Sequence, residues 1–596
     1  MCRIAGIINK NQATQLLNNV KLMCTIMAHG GPDDEGFFHL EDEGLVFGHR
    51  RLAIIDLSTA GHQPMHYLDD KYTITFNGEI YNYLTLKEEL QNLGYTFHTK
   101  SDTEVILAGF AYWGTESFEK LNGMFAFALY DKTNNLTYLV RDQQGIKPLY
   151  YSITANQLIF ASEVKAFKYL IKQENKDWKI YFLAFGHIPE PYTTLNNVLM
   201  LPKAHYLKWD HKTNSNIICS FNKEQAHALI NDPQEAVIEV KQKLNSAVKC
   251  HLIADAPLGI FLSGGIDSSL ITLLANETQD NNTQSLHTLS VNFDDAPFSE
   301  AEFQKIMLEK VSSQHSANKL DQQTFSTHFP NALSAMDQPT ADGINSWFIN
   351  YFAKTNGLKA VLSGVGADEL FGGYPSFGRM GIVNFLSKLP NIILKKCIKF
   401  NSTIVKRAYY LSYNNAIGKY LFLRGFFTPD EISLLLDIPI STIDQALKNI
   451  PIPEMPTGLS STAQASWLET NLYMQNQLLK DTDFMSMQHG VEVRVPFLDK
   501  EFLQLVHSID DRIKHQKKKQ LLIDSFITCL PRKIWDRPKM GFTFPFQQWL
   551  KEDNYFQTKL ATYQNKHAKA LTTNFKKGKL HWSKAMVIFQ AFNHAD

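Results

Sequence analysis

Apolar and polar positions divide this chain into two halves with different rhythms. The run Ile4-Ala5-Gly6-Ile7-Ile8 is apolar on both alternating faces and predicts a short buried strand over Arg3–Ile8. Comparable runs predict strands at 72–76, 124–130, 136–141 and 158–162. Turn-forming residues separate them, among them Asn77-Gly78 and Asp142-Gln143-Gln144-Gly145. Helical spacing is found at 84–93 and 102–113. This half reads as layered and strand-rich, with few long helices.

The rhythm changes after Gln234. Ala236, Val237, Val240, Leu244, Ala247, Val248 and Leu252 recur at helical spacing and predict a helix over 234–255 that Pro257 ends. The apolar strand 258–262 then runs into the polar, glycine-rich string Ser263-Gly264-Gly265-Ile266-Asp267-Ser268-Ser269, and a helix follows. A second strand–loop begins at Ala360 and leads into Ser363-Gly364-Val365-Gly366-Ala367-Asp368-Glu369. Polar and turn residues gather between Pro202 and Pro233, which places a domain junction there and predicts domains of 1–210 and 230–596. Between Glu369 and Asp430 lie nine basic residues and no acidic one, interleaved with aliphatic and aromatic side chains. That stretch reads as a solvated helical insertion near 376–460; a surface for a membrane or a polyanionic glycan is the alternative.

A chain of 596 residues exceeds one hydrophobic core, so at least two domains are expected. With 59 basic and 59 acidic residues there is no global attraction to nucleic acid, and none is expected as a partner. The six cysteines show no CxxC pair or metal-ligand spacing. The first residues lack the pattern of a signal peptide, and no apolar stretch is long enough to span a bilayer, so a cytoplasmic protein is expected.

Chemistry enters at Cys2. Removal of Met1 would leave its thiol and a free α-amine on one residue, nucleophile and proton acceptor together. Other polar clusters have plain structural readings: Asn77-Gly78 as a hairpin turn, Ser101-Asp102-Thr103-Glu104 as a helix N-cap, Gly264-Gly265 as a tight turn. The last also presents backbone N–H groups at a helix N-terminus, which suits phosphate; it lacks the Gly-Lys-Ser/Thr ending of a Walker A loop.

Taken together, Cys2-Arg3-Ile4-Ala5-Gly6, His29-Gly30-Gly31-Pro32-Asp33, Arg51-Leu52, Asn77-Gly78-Glu79-Ile80-Tyr81-Asn82, Ser101-Asp102-Thr103-Glu104 and Gly123-Met124-Phe125-Ala126-Phe127 resemble the glutaminase domain of class II glutamine amidotransferases. The string from Ser263 resembles the pyrophosphate loop of ATP-pyrophosphatases. With the loop after Leu362, the string Val491-Glu492-Val493-Arg494-Val495-Pro496-Phe497-Leu498-Asp499 and the string Arg537-Pro538-Lys539-Met540-Gly541-Phe542, nearly the whole chain resembles the glutamine-hydrolysing asparagine synthetases. The resemblance implies an α+β N-terminal-nucleophile glutaminase domain, an αββα sandwich, followed by an α/β ATP-pyrophosphatase domain with a parallel sheet and added helices.

It also implies roles. Cys2 attacks the glutamine side-chain amide, and Asn77 with the Gly78 N–H forms the oxyanion hole. Arg51 pairs with the α-carboxylate, Glu79 and Asp102 hold the α-ammonium, and Leu52 and Ile54 complete the glutamine pocket. ATP lies against Leu262, Ser263, Gly264, Gly265, Asp267, Ser268, Val291, Ser363 and Gly364, Mg²⁺ on Asp267 and Asp368, and Lys539 stabilises charge developing on the phosphates. Ammonia passes through an internal channel to a carboxylate activated as an acyl-adenylate, L-aspartate by default, giving asparagine, glutamate, AMP and pyrophosphate. The other partners implied are small molecules, with a homodimer usual among relatives.

Two positions depart from the family pattern. Gly30 stands where an arginine is usual, and Val365 where the acceptor-facing glutamate is usual. A valine neither accepts a proton nor binds an ammonium. It packs passively, or the acceptor is a different acid, such as a uronic acid of surface polysaccharide synthesis. A third reading, a binding protein with a dead synthetase half, conflicts with the intact loop 263–269, Asp368 and Lys539.

Overall fold

A computed structural model describes residues 2–10, 13–223, 228–278, 286–294, 299–516, 519–541 and 544–593; Met1 and Phe542, named above, lie outside them. The first half contains two six-stranded antiparallel sheets. One runs in the order Leu199–Met200, Tyr150–Thr154, Gln157–Ala161, Arg3–Ile8, Leu45–Arg51, Asp34–Leu40. The other runs Ser215–Ser220, His205–Asp210, Leu136–Arg141, Gly123–Asp131, Tyr72–Ile80, Met65–Tyr67. Period-two alternation explains the stacking. Ile4 and Ile8 face Ala126, Ala128 and Leu139 of the second sheet, while Ala5 and Ile7 face Leu16, Val20 and Met23 of the helix Ala13–Ile26. Phe125, Phe127 and Leu129 point the other way, into the helix Asp102–Trp113. The layers are therefore helix, sheet, sheet, helix.

Three expectations shift. The 14-residue helix Ala13–Ile26 corrects the picture of few long helices. Asn77-Gly78 is no turn: both residues sit inside Tyr72–Ile80, paired with Ala126 and Phe125, because the partner strand Gly123–Asp131 runs past them to Ile80. The second sheet extends to Ser220.

The second half is built on a five-stranded parallel sheet in the order Ser313–Lys319, Leu286–Asn292, Leu258–Phe261, Ala360–Leu362, Glu492–Arg494. The strand order reverses direction at the central strand. In open parallel sheets such a switch point opens a crevice beyond the strands' C-terminal ends. The helix before it, Pro233–His251, stops six residues short of Pro257. Arg494 explains the stop: its Nη1 donates to the His251 and Ile253 carbonyl oxygens, at 2.8 and 2.6 Å.

The halves are not separable bodies joined by a thread. Leu52, Ile54, Tyr81, Met124 and Ile146 share one buried cluster with Leu262, Leu479 and Val495. The helix Trp178–Phe185 is buried among the aromatic side chains of the second half. The π-helical segment Glu469–Leu478 adds polar ties, with Glu190 N–H donating to Asn476 (2.7 Å) and Lys203 Nζ to Asn471 (2.9 Å). Among the described residues no helix is long and apolar enough to cross a membrane.

Candidate active site

Antiparallel pairing of Arg3–Ile8 with Leu45–Arg51 sets Arg3 opposite Arg50; continued by one residue, that register puts Cys2 beside Arg51. Cys2 is buried. Its backbone N–H donates to Asn77 Oδ1 at 3.2 Å, and its Sγ lies 4.0 Å from the Leu52 carbonyl oxygen. Burial pushes the thiol above its usual range, so the reactive thiolate needs a proton acceptor close by. Asn77 is fully buried, and its Nδ2 has no partner among the described residues. An orphaned buried donor costs about 1–3 kcal/mol, and it is suited to a negative oxygen that appears only during reaction. At Gly78, φ is +157°, and a Cβ there would collide with the Met124 carbonyl oxygen, so the close strand crossing requires glycine.

Arg51 is positioned by two carbonyl groups: Nη1 donates to Ser58 O at 2.8 Å and Nη2 to Asp56 O. Asp102 opens the helix Asp102–Trp113, with Ser101 as its cap, and Asp102 Oδ2 accepts the Ile80 N–H at 2.9 Å. Burial pushes the Asp102 carboxyl up to about 6. Burial and the nearby Glu492 push Glu79 well above the ordinary carboxylate range, with Arg494 opposing. Leu52 and Ile54 are buried in the wall shared with the second half.

Gly30 also has a physical reason. A Cβ at this position would sit 2.7 Å from Arg3 Cγ, so Arg3 occupies the space a side chain would need. From there Arg3 reaches Glu163 at 2.7 Å and Asp483 at 2.9 Å, and Glu163 holds His29 at 3.0 Å. The loop around residue 30 thus keeps an arginine, delivered from the first strand.

The second cluster lies at the switch point of the parallel sheet, around a cavity of about 480 Å³. Leu262, Ser263, Gly265, Asp267, Ser268, Val291, Ser363, Gly364, Asp368 and Lys539 all line it. Gly264 does not; its backbone is left-handed at φ +80°, and its carbonyl oxygen accepts from Arg537 Nη2 at 2.9 Å. Gly265 caps the helix Ile266–Glu277, whose first N–H groups face the cavity's polar loop. Gly364 lets the two loops meet, since a Cβ there would lie 2.7 Å from Asp267 Cβ.

Two lysines hold the acidic pair. Lys519 Nζ is 2.6 Å from Asp267 Oδ2 and 2.5 Å from Asp368 Oδ1, and Lys539 Nζ is 2.6 Å from Asp368 Oδ2. Burial opposes the Lys519 charge, yet the carboxylates outweigh it and hold the ammonium above its ordinary value. Lys539 and Lys519 likewise hold Asp368 below the carboxylate range against burial. Val365 lines the cavity, as does Glu369 four residues later. Burial pushes the Glu369 carboxyl up to about 7, and Tyr374 donates its hydroxyl to it at 2.7 Å.

Comparison with known proteins agrees with this two-part geometry. A glutamine amidotransferase domain model matches residues 1–220, and the asparagine synthase model matches residues 239–581. The chain belongs to the asparagine synthase family. Asparagine synthetase [glutamine-hydrolyzing] 1 of Bacillus subtilis is 32% identical over 580 residues, covering 93% of this chain and 88% of that protein. A putative asparagine synthetase [glutamine-hydrolyzing] of Mycobacterium bovis is 30% identical, covering 91% and 86%. The solved glutamine phosphoribosylpyrophosphate amidotransferase of B. subtilis aligns at a TM-score of 0.29 with 14% identity, over 53% of this chain and 81% of that one.

Within this asparagine synthase family member, the structure adds residues that short strings did not single out. Lys519 stands in a run of lysines whose only signal was its charge; its backbone is left-handed at φ 57°, a strain of about 1–3 kcal/mol that is commonest at functional sites. Arg537 ties the C-terminal string to the loop 263–269 through the Gly264 carbonyl oxygen (2.9 Å), and is itself held by Glu300 (2.8 Å) and the ring of Phe303 (3.7 Å). Arg494 links the two candidate sites. Its Nε is 2.5 Å from Glu492 Oε1, and its Nη2 is 3.4 Å from Glu79 Oε1. All three groups are buried, so removing the cation strands two carboxylates. Arg494→Met is expected to destabilise the protein by about 3–5 kcal/mol. Calorimetry should show the lowered midpoint, and the added change Glu492→Gln should recover part of it.

Proposed function

We propose that the protein transfers the side-chain nitrogen of glutamine to a carboxylic acid activated by ATP, with L-aspartate as the acceptor and asparagine as product. Its catalytic units are the expected 1–210, lengthened to include the strand Ser215–Ser220, and 230–596. The observation that carries this reading is the pairing of a buried Cys2 beside an unpartnered Asn77 donor with a second cavity built on the 263–269 loop.

Cys2 Sγ attacks the glutamine amide carbon. Its proton passes through the α-amine freed by loss of Met1 to the departing nitrogen, which leaves as ammonia. Asn77 Nδ2 and the Gly78 N–H take the oxyanion; Arg51 takes the α-carboxylate with its planar fork; Glu79 and Asp102 take the α-ammonium. Water then cleaves the thioester and releases glutamate. In the second cavity the acid's carboxylate oxygen attacks the α-phosphorus of ATP and pyrophosphate leaves. Ammonia attacks the resulting carbonyl, loses a proton, and AMP departs. Lys519, Lys539 and the first N–H groups of Ile266–Glu277 are placed to meet the phosphate charge.

Asp267 and Asp368 fit a Mg²⁺ that arrives with the nucleotide. They would supply two hard oxygen donors of the kind Mg²⁺ prefers, and the Lys519 ammonium already marks the place between them as one that holds positive charge. Bound there, the ion would neutralise phosphate charge.

A second cavity of about 10 Å³ shares Thr482 and Val493 with the large one and is lined by Ile146, Leu479 and Val495 together with the buried ion pair of Lys147 and Asp483. Its aliphatic side supports a passage for ammonia in the neutral, nucleophilic form, running beside that ion pair.

Because Asp102 is pushed up to about 6, it is charged above that pH and neutral below. Glutamine KM is therefore expected to rise as pH falls below this value, by roughly tenfold per unit at the limit. Asp102→Asn should raise KM throughout and flatten the dependence; KM measured from about pH 5 to 8 checks both.

Val365 favours a second reading, in which the same chemistry serves a different acid such as a uronic acid. Pyrophosphate release on adding candidate acids separates the cases. Release with aspartate supports the first. Release with a sugar acid alone supports the second, and no release with any acid leaves neither standing.

A further inference from the structure

The basic insertion packs as one helical layer. Pro375–Leu386, Asn391–Lys396, Cys397–Lys399 and Thr403–Arg407 lie over the segment Ala408–Tyr413. Their inner faces bury Phe377, Met380, Val383 and Leu394 in the core. Their outer faces carry Ile382, Phe385, Ile392, Ile393, Phe400 and Ile404, each between 49% and 74% exposed. Single exposed apolar side chains need no explanation, but six on one layer, four isoleucines and two phenylalanines with no partner among the described residues, mark a contact surface.

The charges sort in the same direction. Of the nine basic residues in this stretch, Lys406 pairs with Asp430 (2.6 Å) and Arg424 with Glu469 (2.8 Å). Lys419 donates to Asn384 and Gln464, each at 3.0 Å, and Arg407 is mostly buried. The remaining five, Arg379, Lys388, Lys395, Lys396 and Lys399, are exposed and have no carboxylate partner among the described residues. They are interspersed with the exposed apolar side chains along the chain.

We propose that this layer docks the protein onto an anionic lipid surface. Cations and large apolar side chains on one outer face match the headgroup–acyl boundary, where each kind finds its complement. A soluble polyanion would engage the lysines and leave the aliphatics in water. A second copy of the chain, meeting this face across a two-fold axis, would set like charge against like. The attachment is peripheral, and it is independent of which acid the catalytic cavity accepts.

Full-length protein sedimented with vesicles of phosphatidylglycerol and phosphatidylcholine, against pure phosphatidylcholine, tests this. Binding is expected only with the anionic mixture and is expected to weaken with salt. The triple variant Lys395→Glu, Lys396→Glu, Lys399→Glu should bind at least on the order of 100-fold more weakly. Phe385→Ser with Ile392→Ser should also weaken it, while glutaminase rate and circular dichroism stay unchanged in both variants. No binding to the anionic vesicles would overturn the proposal. So would binding that both variants leave intact, or competition by soluble polyphosphate that the serine variant does not alter. A dimer that Phe385→Ser with Ile392→Ser converts to monomer in sedimentation velocity would name a second copy as the occupant instead.

Discussion

Cys2→Ala is expected to abolish glutamine-dependent synthesis, lowering its rate by roughly 10⁵-fold or more, while synthesis from added ammonia continues. Loss of a covalent nucleophile has an effect of this order, because no neighbouring group replaces it. The surroundings favour a clean result. Cys2 makes its firm hydrogen bond through the backbone, to Asn77 Oδ1, and its sulfur has only a long contact with the Leu52 carbonyl oxygen. Alanine keeps the backbone bond and opens a gap of one atom. The nucleotide cavity is lined by other residues and should retain its acid-dependent pyrophosphate release. Parallel assays with glutamine and with ammonium chloride decide the matter. A surviving glutamine-dependent rate would remove Cys2 from the mechanism. Loss of both activities would mean that the two halves cannot act apart. Mass spectrometry of the mature chain belongs with this experiment, since retained Met1 would leave Cys2 without its amine.

Asp267→Ala should suppress pyrophosphate release on the order of 10³-fold with every acceptor acid, with glutaminase turnover intact. The argument is electrostatic. Asp267 and Asp368 share Lys519, and in the proposed reaction they would hold the cation that neutralises phosphate charge. Removing one leaves the cation a single carboxylate and frees Lys519 to collapse onto Asp368. Misplacing positive charge opposite a leaving pyrophosphate costs several kcal/mol in the transition state. Alanine adds no bulk and keeps the Cβ that packs against Gly364. Asp267→Asn separates charge from shape: if it restores the rate, the carboxylate's charge is not what matters. A fall in glutaminase turnover equal to the fall in pyrophosphate release would instead point to global damage.

The elements that emerged where the periodicity placed them are those whose burial is one-dimensional. Leu136–Arg141 and Asp102–Trp113 coincide with the expected runs because each buries a regular face against one neighbour. The helix Ala13–Ile26 was not predicted, although Leu16, Val20 and Met23 recur at helical spacing along its buried face. Asn77-Gly78 shows the limit. As a dipeptide it favours a turn, yet nine residues of pairing with Gly123–Asp131 outweigh that local preference and stretch it into strand.

Contiguous strings by themselves determined the family: a cysteine at position 2, a strand–loop–helix rich in serine and glycine, and acidic residues in the loop that follows Leu362. Such strings carry their own backbone geometry, so their meaning survives without knowledge of the rest. Only the tertiary structure decided that Lys519 stands between Asp267 and Asp368, that Arg494 reaches from the parallel sheet to Glu79, and that Arg3 fills the space left at Gly30. It also decided which side chains of the basic stretch face water. These facts depend on how segments separated along the chain pack together, and packing is set by the whole buried surface rather than by any window of the chain.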